Sequence, residues 1–356
     1  MTLGTKPSPE QILQARAENP KIRERDFSSK LGISEAEFVA AHCAHIDSAA
    51  MSARRIDIDI KALLDRAPGF GEVMTLTRNE SAVHEKIGTF EKTYYSQHAS
   101  MALGPIDLRI FPKHWVYGFA VNKQDGELTR HSLQFFDAAG EAVHKIHLRS
   151  ASNVEVYKKF VEEFLSEDQG PSIEVSPYFD NPKTQLENVD VTSFRDRWAA
   201  LTDVHQFVGL LKDFSINRHQ AVRLAGNEFA WRVDPSSVEA MMRHAVDQKL
   251  SIMCFVGSRG CIQIHTGPIY EIKLMGPWIN VLDPTFHLHL RGDHIKDAWV
   301  VRKPTKNGHV TSIEAYDSTG ELIIQFFGER HEGQIELQDW RMIVENLPRL
   351  PLSDAA

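Results

Sequence analysis

Asp137-Ala138-Ala139-Gly140-Glu141 recurs 180 residues further on as Asp317-Ser318-Thr319-Gly320-Glu321. The same offset carries Phe119-Ala120-Val121 onto Trp299-Val300-Val301, Leu108 onto Leu288 and Phe160 onto Trp340. Solenoid repeats run roughly 20–50 residues, so a period this long reads as two copies of one domain. Whatever one half folds into, the other must fold into as well. What the copies share reads as scaffold, and what one copy alone carries is a candidate for function. A chain of 356 residues suits two such domains, on a prior of about 150 residues each.

Each half reads in the same order. Residues 8–48 are helical in pattern and begin at Ser8-Pro9-Glu10, an N-cap followed by a proline in the first turn. Strand-like runs follow at 73–77, 83–89, 106–111, 115–122, 132–137 and 143–148, divided by Gly, Asp and Asn. That punctuation predicts an antiparallel meander. A helix over 153–165 closes the half, and the Gly- and Pro-bearing stretch 166–190 reads as a linker. The second half offers helices over about 191–247, strands over about 251–327 and a closing helix over 338–346. The expected fold class is α+β: a tandem duplication, each half a large antiparallel β-sheet with packed helices. The N-terminal repeat spans 1–165 and the C-terminal repeat 191–356.

Net charge is −8, which argues against a general nucleic-acid binder and against a membrane-surface protein. Cys43, Cys254 and Cys261 are too few, and odd in number, for a disulfide framework; they point to a reducing compartment. The N-terminus lacks an apolar signal core, and no run approaches the ~18 apolar residues of a membrane span. The expected location is the cytoplasm, without membrane insertion.

The halves differ in their ionisable residues. Trp198, Leu201, His205 and Val208 fall on one stripe at helical spacing, so a histidine interrupts an apolar face. The matching stretch of the first half, near Lys21-Ile22-Arg23, has no histidine. His205 reads either as a core histidine bonded to a backbone group or as a ligand, and periodicity leaves both open. In Ile106-Asp107-Leu108-Arg109-Ile110-Phe111, alternation gives one apolar and one polar face. The counterpart Phe286-His287-Leu288-His289-Leu290-Arg291 aligns Arg109 with His289. That polar face reads either as solvated or as the lining of a cationic cleft. Lys303, before Pro304, and Arg330, after Gln325-Phe326-Phe327-Gly328-Glu329, stand at strand ends.

Several long segments in order resemble the bacterial cytoplasmic haem-degrading and haem-transport family, the hemin-degrading factors. They are Leu201-Thr202-Asp203-Val204-His205-Gln206-Phe207, Ile106-Asp107-Leu108-Arg109-Ile110-Phe111-Pro112 and His131-Ser132-Leu133-Gln134-Phe135-Phe136-Asp137, with Ala298-Trp299-Val300-Val301-Arg302-Lys303-Pro304-Thr305 and Gln325-Phe326-Phe327-Gly328. The resemblance covers nearly the whole chain. It implies two repeats with a b-type haem held in a cleft between the halves. It implies His205 as proximal iron ligand, Arg109 on the distal side as the catalytic cation, and Lys303 and Arg330 as propionate partners. Imidazole is a suitable axial ligand for haem iron, and arginine pairs carboxylates in a bidentate fork.

Two function classes follow from that resemblance. One is an enzyme of haem uptake and iron acquisition that degrades haem with external electrons. The other is a haem chaperone that receives haem from an inner-membrane importer and passes it to a separate haem oxygenase. No flavin or nicotinamide motif is visible, so the enzyme class requires a partner reductase. A third class, a haem-responsive DNA-binding regulator, rests on the helix-turn-helix cadence of residues 25–38. Glu35 and Glu37 open its would-be recognition helix, where carboxylates repel phosphate, so a plain helical hairpin is the expected reading. Cys254, Cys261 and His265 lack the tight spacing of a zinc site, and Gly69-Phe70-Gly71 lacks the flanks of a nucleotide loop.

Overall fold

The turn that marks the duplication is built the same way twice. Asp137 Oδ1 accepts the backbone N–H groups of Ala139 at 3.0 Å and Glu141 at 3.1 Å. Asp317 Oδ1 accepts those of Thr319 at 2.8 Å and Glu321 at 3.0 Å. Gly140 and Gly320 both stand at φ +79°, a left-handed conformation that glycine adopts without steric cost. Each turn closes a hairpin: Leu128–Phe136 with Ala142–Ser152, and Gly308–Tyr316 with Leu322–Gly328.

These features come from a computed structural model that describes residues 6–43, 50–178, 185–330 and 334–351. The chain divides into two compact units. Unit 1 comprises Met1–Arg78, Glu85–Phe179 and Gly257–Gln263; unit 2 comprises Asn79–His84, Asp180–Val256 and Ile264–Ala356.

In unit 1, five strands pair antiparallel in the order Met51–Ile56, Tyr117–Asp125, Leu128–Phe136, Ala142–Ser152 and Gly71–Arg78. Alternation sends Phe119 and Val121 to one face and Ala120 to the other. Phe119, Val121 and Phe136 pack with Ile12, Phe27, Phe38 and Val39 of helices Pro9–Glu18, Glu24–Leu31 and Glu35–Ala40. Ala120, Leu133 and Ile146 pack with Tyr157 and Phe160 of helix Val154–Glu163 and Leu63 of helix Ile60–Arg66. Both faces are therefore covered. Strands Lys92–Tyr94, Ser100–Leu103 and Asp107–Ile110 form a shorter antiparallel run.

Unit 2 repeats the plan with Ala230–Val233, Asp297–Thr305, Gly308–Tyr316, Leu322–Gly328 and Ile252–Gly257. Trp299, Val301 and Tyr316 pack with Trp198, Phe207 and Val222 of helices Val191–Ala199, Gln206–Phe214 and Arg218–Leu224. Trp231, Val300 and Ile313 pack with Met241 of helix Ser237–Asp247 and Trp340 of helix Gln338–Glu345. Strands Ile272–Met275, Trp278–Leu282 and Phe286–Arg291 make the shorter run.

The strong strand patterns are found where alternation places them, and the α+β duplicate is the fold. The helical stretches are more broken than their patterns suggest. Residues 8–48 give separate helices, with 44–49 outside the described residues, as is Pro182 of the expected linker. Strands Met51–Ile56 and Ala230–Val233 were not expected. The first buries residues 51, 53 and 56, which breaks the period of two, and four residues are too few to show one.

The helix-turn-helix cadence corresponds to helices Glu24–Leu31 and Glu35–Ala40, joined at Gly32 with φ +68°. The second helix does not offer itself to a groove. Ala36, Phe38, Val39 and Ala40 are buried, and the buried Glu35 carboxylate accepts from Arg78 and Lys145. Burial alone would raise the Glu35 pKa, but the Lys145 and Arg78 charges outweigh it and hold the carboxyl well below the usual range.

Candidate functional site

His205 does not lie within a helix. Helix Val191–Ala199 ends before it, and helix Gln206–Phe214 begins after it. The intervening turn is held by its own side chains. Gln206 Oε1 accepts the backbone N–H groups of Thr202 at 2.9 Å and Asp203 at 3.2 Å. Asp203 Oδ1 accepts the backbone N–H of His205 at 2.7 Å and stands 2.7 Å from its Nδ1. The Thr202 carbonyl accepts from the Lys306 backbone N–H at 3.0 Å, tying the turn to the neighbouring hairpin.

The His205 side chain is 89% exposed, and Val208 is exposed too. The apolar helical stripe of the sequence reading is thus overturned at both residues. His205 is no core histidine, and its partner is a carboxylate. The backbone N–H of His205, and then its ring, hold the Asp203 pKa below the ordinary carboxylate value, with Arg330 contributing at longer range. An ionised carboxylate can only accept, so Nδ1 is the nitrogen that donates in this bond, and in the neutral ring Nε2 is then the one with the lone pair. An exposed imidazole with its Nε2 lone pair outward has the chemistry of an axial haem ligand. Arg330, just past strand Leu322–Gly328, shares this neighbourhood through its charge on Asp203.

Lys303 differs from the strand-end cation expected. Its ammonium is buried and donates to Glu314 Oε1 at 2.9 Å. Glu314 also accepts from Gln325 at 2.7 Å, Ser312 at 3.0 Å, Tyr316 at 2.6 Å and Arg218 at 3.3 Å. Burial would raise the Glu314 pKa, yet Lys303 and Arg218 hold it at about 2. Lys303 and Arg218 both lie over the Phe207 ring, at 4.7 and 4.9 Å, so the cluster sits under the helix that follows His205. A propionate contact by Lys303 requires its buried ammonium to become accessible.

Arg109 belongs to unit 1. Alternation along its strand is as expected: Ile106, Leu108 and Ile110 are buried, and Asp107 and Arg109 are half-buried. The Arg109 guanidinium is paired with the Asp107 carboxylate and donates to the Leu108 carbonyl at 3.1 Å. Its charge reaches Cys261, whose thiol burial pushes up to about 12. Among the described residues there is no group of three His, Cys, Asp or Glu arranged to hold a metal ion.

Sequence reasoning missed Asp203, Gln206 and Glu314. Asp203 carries a legible sign, since Thr202 and Asp203 shortly before a histidine favour a turn over helix. Glu314 shows as a lone carboxylate among Ile313, Ala315 and Tyr316.

Against known proteins, the chain matches the haemin-degrading HemS.ChuX domain twice, over residues 32–164 and 215–347. It is 37% identical to the hemin transport protein HmuS of Yersinia pestis over 349 residues, 98% of each chain. Its structure superposes on that of holo-PhuS, a haem-binding protein from Pseudomonas aeruginosa, with a TM-score of 0.92 at 39% identity, covering 97% of this chain and 100% of the other. ChuS, described as an E. coli haem oxygenase, gives 0.84 at 35% identity over 93% and 98%. The chain belongs to the family of the haemin-degrading HemS.ChuX domain, which it carries in tandem.

Proposed function

We propose that the chain binds haem for haem uptake and iron acquisition, taking it through His205 in the cytoplasm and opening the ring with electrons from a separate reductase. The observation that carries this reading is the exposed His205 imidazole, turned outward by the Asp203 bond to Nδ1. Arg330, whose charge reaches Asp203, provides a cation for a propionate carboxylate. Haem is here the substrate, and it brings the redox-active iron that the reaction uses. The residues of this chain bind and orient it. Arg109 enters as the resemblance implies it, as the cation that acts on oxygen chemistry. An inner-membrane importer fits as the source of haem.

The test begins with a haem titration. Wild type takes up about one haem per chain, and His205→Ala shifts the Soret band and weakens binding while far-UV CD stays native. An unchanged spectrum would falsify ligation by His205. Turnover is then followed under oxygen with a physiological reductase and catalase. Ring opening to a defined product with stoichiometric iron release supports degradation. Haem that survives yet moves rapidly to an added haem oxygenase assigns the chain to trafficking instead.

A further inference from the structure

We propose that Asp203 is a positioning residue for the haem ligand, setting the His205 tautomer and lending it anionic character; this rests on ligation of haem by His205. One carboxylate oxygen, Asp203 Oδ1, engages two groups of the same histidine. It accepts the backbone N–H at 2.7 Å and meets Nδ1 at 2.7 Å. Main chain and ring are therefore held from a single atom. The backbone that carries Asp203 is itself held, because Gln206 Oε1 accepts the Asp203 and Thr202 N–H groups and the Thr202 hydroxyl. A side chain as exposed as His205 would otherwise exchange freely among rotamers and lose that freedom on binding.

Three consequences follow. The opposite tautomer would set the Nδ1 lone pair against a carboxylate lone pair, so Nε2 is kept as the donor to iron. The ring direction is set before haem arrives. A carboxylate on the far nitrogen makes the ligand more basic, which favours the oxidised iron and binds it more firmly. The duplication supplies a control. The offset that aligns Leu31 with Phe214 places Pro20 and Ile22 opposite Asp203 and His205, so the shared scaffold requires neither residue.

The experiment uses full-length protein with and without haem. In haem-free protein labelled with 15N-histidine, long-range 1H–15N spectra report the His205 tautomer directly. Wild type shows the Nδ1–H form. Asp203→Ala removes acceptor and charge, so the ring reverts towards the Nε2–H form. Asp203→Asn keeps an acceptor without the charge, so the tautomer is retained. In the haem complex both variants raise the iron midpoint potential, and Asp203→Ala weakens haem binding about 10–100-fold. Asp203→Glu restores the lower potential. An Nε2–H form in wild type, or an unchanged potential in both Asp203→Ala and Asp203→Asn, overturns the proposal. Should Asp203→Ala fail to fold, the tautomer of wild type and the potential of Asp203→Asn still decide it. If His205→Ala leaves the Soret band unchanged, ligation fails instead, and that result is read independently of the tautomer.

Discussion

At the scale of single residues, two cations with the same expected role have different surroundings. Arg330 stands near an exposed Asp203, whereas Lys303 is buried against Glu314. Arg330→Ala is expected to weaken haem binding by about 1.5–3 kcal/mol, the value of a charge-assisted contact, with little change in the iron spectrum. A haem analogue with esterified propionates should show the same loss against wild type and none against Arg330→Ala. Lys303→Ala should register first in urea unfolding, because it leaves Glu314 with one cation fewer in a buried site. Arg109→Ala should preserve the affinity while changing the reaction with oxygen. His205 was legible as the histidine that one half carries alone. Its setting was not, because Trp198, Leu201, His205 and Val208 keep helical spacing across a break. The break arises because Asp203 and Gln206 side chains take backbone N–H groups that a continuous helix would use, a local competition that periodicity does not register.

At the scale of elements, the two units solve one packing problem with opposite polarity. Helices Glu35–Ala40 and Arg218–Leu224 follow the N-caps Ser34 and Asn217, each with a capping box. Their first residues, Glu35 and Arg218, point a charge at the sheet. In unit 1 the helix supplies the carboxylate, and Lys145 and Arg78 on the strands supply the cations. In unit 2 the helix supplies the cation, and Glu314 on the strand supplies the carboxylate. Cross-strand partners Gln134 and Lys145 in unit 1 correspond to Glu314 and Gln325 in unit 2. Glu314→Gln leaves Lys303 and Arg218 uncompensated and should cost about 3–5 kcal/mol in chemical denaturation. The pH dependence has a definite sign. The Glu314 pKa falls from 4.5 to about 2 on folding, so its contribution is present above pH 4.5 and lost as pH falls towards 2. Glu314→Gln should flatten the stability curve across that window. Neither cluster was legible, since a charge within a strand pattern reads as a solvated position until its neighbours are known.

At the scale of the whole molecule, the acid limit of stability has a further contributor besides the buried carboxylates Glu35 and Glu314. His144 is buried in unit 1, with Nδ1 at 2.8 Å from Thr77 Oγ1, and burial lowers its pKa from 6.5 to about 3. The folded state keeps it neutral while the unfolded chain protonates it, so stability falls as pH drops from 6.5 towards 3. Urea midpoints measured across that range should slope downward on acidification, and His144→Gln should reduce the slope. The duplicate architecture was legible from the repeated Asp-x-x-Gly turn and the alternating strands. The assignment of Asn79–His84 to unit 2 and of Gly257–Gln263 to unit 1 was not, because hydrophobic alternation says which face a residue takes and nothing about which unit owns it. The inverted charges also bear on how such a gene can evolve. Copying the unit 2 helix over its homologue would set Arg218 against Arg78 and Lys145, and the reverse copy would set Glu35 against Glu314. Each exchange brings like charges together in a buried site, so a conversion tract confined to the helix should destabilise the fold, whereas one that carries the partner strands as well keeps the charges matched.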